Sequence, residues 1–384
     1  MDEQEVIKMA TFDQKIRLLG GLLMGNKTFN GPFYVDIDLT ERCNLNCLGC
    51  PYHNVDKKLL REQKKIPQDM PMEVLSRICT ELKDMNTHTL IFQGTGEPFL
   101  HPHLVECIRI GKKPGFFVIL MTNGTLLNTN IIQALSDVYL DTLKISLWAT
   151  SEEQFAKNYP GTKPETFHRV MDGLKQLGDF KSKQQRHLPS VQIHFVINNT
   201  NYQSLNAMID LAACAGSNSI SFSPMVNLRE ELDSLLLSPE QSDQFQKSLL
   251  QAKDKLSSLS IMHNIDEICT RLRLGPSVWR ELPCYVTWYH ARIRADGSVQ
   301  PCGRCSSHVE FGNVNTNSFG DIWNDPSIRE FRATTKTAKG LASLQGSCHC
   351  QYCCHVQDNK KIHRVNRWLS PFSVLRRAID HGFR

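Results

Sequence analysis

The sequence predicts an α/β fold, with a parallel sheet made from six strand–helix units and a small cysteine-rich domain after it. Three observations carry this expectation. Short β-rich runs alternate with helical patterns from residue 33 to about 258, the pattern of right-handed βα crossovers on a parallel sheet. Polar fragments (TERCNLNC, GTGEP, TNGT, SLWATS) fall at the C-terminal ends of the strands, where parallel α/β folds place their chemistry. After residue 280 the chain changes character: seven of its 14 cysteines lie between 284 and 354.

Taken in order, residues 1–32 form a lead-in with room for one helix around FDQKIRLLGGLL. Strands are expected at 33–40, 88–94, 116–124, 141–149, 190–198 and 219–225, all rich in β-branched or aromatic residues. Between them apolar residues recur at helical spacing, as in Val74, Leu75, Ile78, Leu82 and Met85, or Phe167, Val170, Met171, Leu174 and Leu177. Residues 239–258 supply the sixth helix and end the 33–258 unit. Periodicity leaves a doubly wound sheet and a partial barrel both open. No GxGxxG follows the first strand, which argues against a dinucleotide site. The 280–358 segment opens with LPCYVTWYHARIRADGSVQPCGRC, read as a strand, a tight turn at Asp296-Gly297 and a second strand. It closes with CHCQYCC, and residues 359–384 form a basic amphipathic tail.

With 41% hydrophobic and 22% charged residues among 384, the composition is that of a water-soluble globular protein. The N-terminus begins acidic and lacks a secretory pattern, so a cytoplasmic address is expected. In that setting, clustered cysteines point to metal or redox chemistry. Cys79, Cys107, Cys214 and Cys269 are scattered singly and are expected to be buried thiols. Much of the +5 charge sits in the tail, where seven Lys or Arg face one Asp, so nucleic-acid binding across the whole surface is not indicated. The tail is read as a helix packed on the barrel, with weak contact to an anionic membrane surface as the alternative.

The sharpest signal is ERCNLNCLGC. Cys43, Cys47 and Cys50 give three thiols on one short loop. Catalytic zinc also leaves a fourth position open, but usually with His or carboxylate ligands, so three thiolates suit an iron–sulfur cluster better.

CNLNCLGC, directly after a first strand, resembles the CxxxCxxC loop of the radical S-adenosylmethionine (radical SAM) superfamily. The resemblance implies a (β/α)6 partial TIM barrel. It also implies a [4Fe-4S] cluster on these three cysteines, with SAM chelated to the fourth iron and cleaved to a 5′-deoxyadenosyl radical. GTGEP is similar to the family's GGEP motif, which assigns Thr95, Gly96 and Glu97 to the SAM amino group. Ser146 and Asn123 stand where the family contacts the rest of the cofactor, and Tyr52 where its backbone meets adenine. One departure is Gly49, a position often aromatic in this family.

Cys284, twelve residues, Gly297, four residues and Cys302 resemble the opening of the family's SPASM and twitch extensions. With Cys350 and Cys353 this spacing is similar to the twitch form, holding one auxiliary [4Fe-4S] cluster. Cys305, Cys348 and Cys354 remain spare, and a zinc ribbon built from CGRC and CQYC is the alternative. The spacing resembles that of 2-deoxy-scyllo-inosamine dehydrogenases. This implies a dehydrogenase-like oxidoreductase acting on a small molecule, a sugar or cyclitol, with a flavodoxin or ferredoxin as reductant. Radical modification of a peptide or protein, as in SPASM peptide maturases and sulfatase-maturating enzymes, is the second expectation. Lys144, His194, Arg229 and His290 are the acid–base candidates.

Overall fold

The computed structural model describes residues 11–50, 52, 69–226, 230–275, 277–305, 309–348 and 350–368. Strands β1 (Tyr34–Asp38), β2 (Thr89–Gln93), β3 (Phe117–Thr122), β4 (Thr142–Ser146), β5 (Ser190–Ile197) and β6 (Ser219–Pro224) pair in parallel in chain order. All six expected strands are therefore present. A two-residue β7 (Met262–His263) adds beyond β6. The ten-stranded sheet runs β10-β9-β8-β1-β2-β3-β4-β5-β6-β7 and is open, as a partial barrel requires.

Val35, Ile37, Leu90, Phe92, Leu120, Leu143, Ile145, Ile193 and Phe195 are fully buried. Strands covered on both faces read as continuous apolar runs. Asp36 and Asp38 on β1, Lys144 on β4 and His194 on β5 interrupt those runs, and the site is built from such interruptions.

Helix α1 (Phe12–Leu23) is the expected lead-in, capped by a reciprocal Thr11–Gln14 box. The crossovers are α2 (Met72–Asp84), α3 (Leu104–Lys112), α4 (Thr129–Asp137), α5 (Glu152–Asn158), α6 (Glu165–Gln184) and α7 (Leu205–Cys214). The helix expected at 239–258 is divided at Ala252 into α8 (Pro239–Gln251) and α9 (Lys253–Ser258), and α10 (Ile265–Leu274) follows β7.

The C-terminal segment differs most from expectation. LPCYVTW is not a strand: Cys284 N–H donates to Thr335 O at 2.9 Å and Tyr285 N–H to Asn359 Oδ1 at 2.8 Å, so helices take the bonds a ladder would need. The first strand, β8 (His290–Ile293), returns antiparallel through Asp296-Gly297 into β9 (Ser298–Gln300). Gly297 has φ +84°, a left-handed conformation suited to glycine. β8 also pairs in parallel with β1, so the cysteine-rich segment continues the main sheet. β10 (Gly312–Asn313) completes that edge.

Of the scattered thiols, Cys79 and Cys107 are buried, but Cys214 is exposed and Cys269 half-buried, which corrects the expectation for those two. Among the described residues no helix is long and apolar enough to cross a membrane. Residues 356–368 are helical; the rest of the tail, and Arg229, lie outside the described residues.

Candidate active site

The three-cysteine loop leaves the end of β1, buries Leu45 in the core and is docked by backbone hydrogen bonds. Gly96 N–H donates to Thr40 O at 3.1 Å and Glu97 N–H to Arg42 O at 2.7 Å, laying GTGEP against TERC. A Cβ on Gly94 would sit 2.8 Å from Thr40 O, and one on Gly96 would collide with the Arg42 carbonyl. The two motifs thus form one docked pair, and the glycines are what let them touch.

Burial pushes the Cys43 thiol up to about 11, aided by the charges of Glu97 and Cys50. Burial also drives Cys47 well above its ordinary value, with Cys50 and Cys43 adding to it. Such thiols release their protons when a metal takes the sulfur. Gly49 is explained by its neighbours: a Cβ there would run into the Met225 side chain and come 3.3 Å from the Trp148 ring. The space an aromatic residue would need is occupied from the segments that follow β4 and β6.

Glu97 is buried at the end of β2. Its carboxylate accepts from Thr122 Oγ1 (2.6 Å), Asn123 N–H (2.7 Å) and Phe99 N–H (3.1 Å). Burial nevertheless pushes its carboxyl up to about 7, against those bonds. Asn123 Nδ2 donates to Asn44 Oδ1 at 2.9 Å, and Asn44 Nδ2 to Thr125 Oγ1 at 2.8 Å. Asn44, which the sequence reading missed, stitches the cysteine loop to the end of β3. Ser146 Oγ ends β4 and accepts from Trp148 Nε1 at 3.3 Å. Tyr52 N–H donates to Cys50 Sγ at 3.4 Å.

In the C-terminal segment Cys284, Cys302, Cys350 and Cys353 come together. Burial raises Cys284 to about 11 and Cys302 to about 12, the latter with help from Cys284. Cys350 is raised by burial, with Cys284 adding to it, and Cys353 is raised well above its ordinary value by its hydrogen bond with Cys354 and by burial. Cys305 and Cys348 form a disulfide with Cα atoms 4.1 Å apart, while Cys354 hydrogen-bonds Cys353 and His355 beside the group. Among the described residues no three His, Cys, Asp or Glu side chains converge closely enough to hold a single ion.

Tyr52, two positions after Cys50, and Cys302 and Cys354 of the C-terminal segment line a chamber of about 360 Å³, together with Asp36, Lys144, His194, His290 and Arg292 from the sheet. Three of the four acid–base candidates therefore meet in one cavity. His194, bonded to Ser221 Oγ at 2.8 Å, is held well below its ordinary value by burial and by the charges of Lys144 and Arg271, so its ring is neutral. The ring of His290 is fixed by chemistry: Pro301 O can only accept, so Nδ1 carries the proton at 3.0 Å. Nε2 then faces Asp36 Oδ2 at 3.3 Å. Asp36 and Arg271 are further residues the sequence reading missed. For Asp36 a signal existed, a carboxylate inside the apolar run FYVDIDL.

Residues 37–212 match the radical SAM superfamily, and residues 284–355 match SPASM, an iron–sulfur cluster-binding domain. The chain is a radical SAM protein with a C-terminal SPASM domain. [4Fe-4S] clusters and SAM follow as its cofactors, which removes the zinc-ribbon alternative. The donor set fits: three free thiols on one short loop, four more free thiols in the C-terminal segment, and no disulfide within either group. When bound, SAM and its cluster supply a 5′-deoxyadenosyl radical.

Similar proteins include the tungsten-containing aldehyde ferredoxin oxidoreductase cofactor-modifying protein of Pyrococcus furiosus, 25% identical over 79% of this chain and 84% of that protein. The PqqA peptide cyclase of Gluconobacter oxydans is 24% identical over 83% of this chain and 86% of the cyclase. Among solved structures, anSMEcpe with bound AdoMet superposes with a TM-score of 0.63 at 18% identity, over 88% of this chain and 95% of that one. Likeness at that identity concerns the fold.

Proposed function

We propose that this radical SAM enzyme takes a hydrogen atom from a residue of a peptide or protein substrate. Cys43, Cys47 and Cys50 are assigned to the SAM-binding cluster, and Cys284, Cys302, Cys350 and Cys353 to an auxiliary cluster. Tyr52, Thr95, Gly96, Glu97, Asn123 and Ser146 are assigned to SAM, and a one-electron donor of the flavodoxin or ferredoxin type to reduction. A carboxylate at Glu97 is the partner an ammonium calls for.

The observation that carries the substrate class is the shape of the site. The chamber shares Val226 with a groove of about 680 Å³ that passes Leu236, Leu237, Leu272 and Tyr352. A chamber that meets a second, roomier groove at Val226 suits an extended substrate, with one residue inside and its neighbours outside. Relatives add support: one is named a peptide cyclase, and SuiB of Streptococcus suis has been solved with its precursor peptide SuiA. His290 is the first choice for proton transfer, since Nδ1–H is committed to Pro301 O and Asp36 stands ready to stabilise an imidazolium. A sugar or cyclitol is the second reading, supported by the Ser221 and Ser223 hydroxyls in the chamber wall, which offer partners to hydroxyl groups.

The test supplies the reduced enzyme and SAM with a deuterium-labelled extract of the source cells, divided into polypeptides and small molecules. Deuterium in 5′-deoxyadenosine from the polypeptide fraction is expected. Deuterium from the small-molecule fraction alone would overturn the peptide reading.

A further inference from the structure

Arg292 lies on β8, in the stretch matched to SPASM, yet its partners belong to the radical SAM domain. The side chain is buried and forks onto Asp38 at the end of β1, with Nε to Oδ1 at 3.1 Å and Nη2 to Oδ2 at 2.7 Å. Its remaining nitrogen, Nη1, donates to Tyr52 Oη at 2.9 Å, and the guanidinium lies 5.4 Å from the Tyr52 ring centroid. Tyr52 in turn donates its backbone N–H to Cys50 Sγ. On the other side, a Cβ on Gly303, next to Cys302, would come 3.0 Å from Nη1. One guanidinium thus stands between the two thiol groups and grips the residue that hydrogen-bonds a thiol of the first.

We infer that Arg292 is a positioning residue that sets the reduction potential of the SAM-binding cluster by holding the Tyr52 N–H on Cys50. The physical link is short. Hydrogen bonds to cluster sulfurs are among the determinants of potential, because reduction adds one electron, and the N–H dipole stabilises the added negative charge on the thiolates. That electron comes from the flavodoxin- or ferredoxin-type donor, and no bond or proton is exchanged in the step. Asp38 neutralises the guanidinium, so the effect works through the geometry of Tyr52 and not through a free positive charge beside the cluster. Lysine carries the charge but lacks the fork, and it cannot hold Asp38 and Tyr52 in this arrangement.

The inference rests on Cys43, Cys47 and Cys50 holding the cluster and not on the substrate class. Loss of the SAM-cluster EPR signal in Cys50→Ala tests that basis separately. The deciding measurement is an EPR-monitored redox titration of the anaerobic holoenzyme as wild type, Tyr52→Phe, Arg292→Lys and the double variant. Tyr52→Phe removes the hydroxyl that Arg292 Nη1 holds and keeps the ring, so the backbone N–H on Cys50 loses its anchor while the side chain still fills its place. It is expected to lower the reduced-to-oxidised ratio of the SAM-binding cluster at a fixed potential by about tenfold, or about 59 mV for a one-electron couple. Iron content and the auxiliary-cluster potential are expected to stay at wild-type values. Arg292→Lys is expected to shift the same cluster the same way, with no further shift in the double variant. An unchanged potential in Tyr52→Phe with its iron intact would overturn the inference, as would shifts that add in the double variant. If Arg292→Lys does not fold, Tyr52→Phe alone decides.

Discussion

Glu97→Gln separates the two roles this carboxylate has, and the structure gives the size of each. In the protein without clusters or SAM, burial holds the Glu97 carboxyl at about 7 against an ordinary 4.5. Between those two values the folded chain binds more protons at this position than the unfolded chain, so stability falls as pH rises. The difference amounts to about 3 kcal/mol, fully present below pH 4.5 and lost as pH passes about 7. Glutamine cannot ionise, so this pH dependence vanishes. In exchange, its NH₂ group meets one of the N–H or O–H donors that now point at the carboxylate, a pH-independent cost of about 1–3 kcal/mol. Urea unfolding of anaerobic, metal-free wild type and variant across this pH range reads the difference directly. The gap between the two should narrow as pH rises. In the loaded enzyme the same change removes the partner proposed for the SAM ammonium, and the dissociation constant for SAM should rise by about 10- to 100-fold. Parallel pH curves would refute the burial argument. An unaltered SAM affinity would leave Glu97 as a tie between β2 and β3 only.

Replacing Cys43, Cys47 and Cys50 together by Ala should reduce iron from about eight to about four per chain, with sulfide falling in parallel; an undiminished content would remove the loop from cluster binding. Gly96→Ala sets a Cβ against the Arg42 carbonyl; it should cost about 1–3 kcal/mol in urea unfolding of the cluster-free protein and depress iron uptake, and normal values for both would show that the two motifs are not docked this tightly. Gly49→Tyr should weaken SAM binding by displacing Met225, and adding Met225→Ala should restore it; failure of that rescue would locate the obstruction elsewhere.

How much of this was legible in the sequence depends on the range of the interaction. Thiols crowded within eight positions announce themselves, as do apolar runs of strand length, and these predicted the six parallel strands and the cluster loop. Asn44, Arg271 and Arg292 carry no local signal. Asn44 stands 79 positions from Asn123, and Arg292 stands 254 from Asp38, and the partners meet only because the sheet order β8-β1-β2-β3 sets β8 beside β1 and leaves only β2 between β1 and β3. The course of LPCYVTW was misread for the same reason: its aromatic, β-branched residues fit a strand locally, but Thr335 and Asn359 claim the backbone. Gly49 was legible as a departure and illegible as to cause, because Trp148 and Met225 come from the segments that follow β4 and β6.

The pairing of β8 with β1 gives the C-terminal domain a meaning its sequence did not suggest. An appendage joined by a linker would hold its cluster at a variable distance from the first. Here Cys284 and Cys302 flank β8 and β9, and β8 is hydrogen-bonded to the strand that delivers Cys43. Both thiol groups are therefore tied to one sheet, and His290 and Arg292 reach the chamber from β8 itself, beside Tyr52 of the first loop and Cys302 of the C-terminal segment. A substrate radical formed beside the first cluster would be held within the same walls as the second, with a histidine at hand for a proton. Such an arrangement suits chemistry in which the electron left on the substrate must have somewhere to go, and it requires the SPASM segment to be part of the reaction chamber rather than a lid over it.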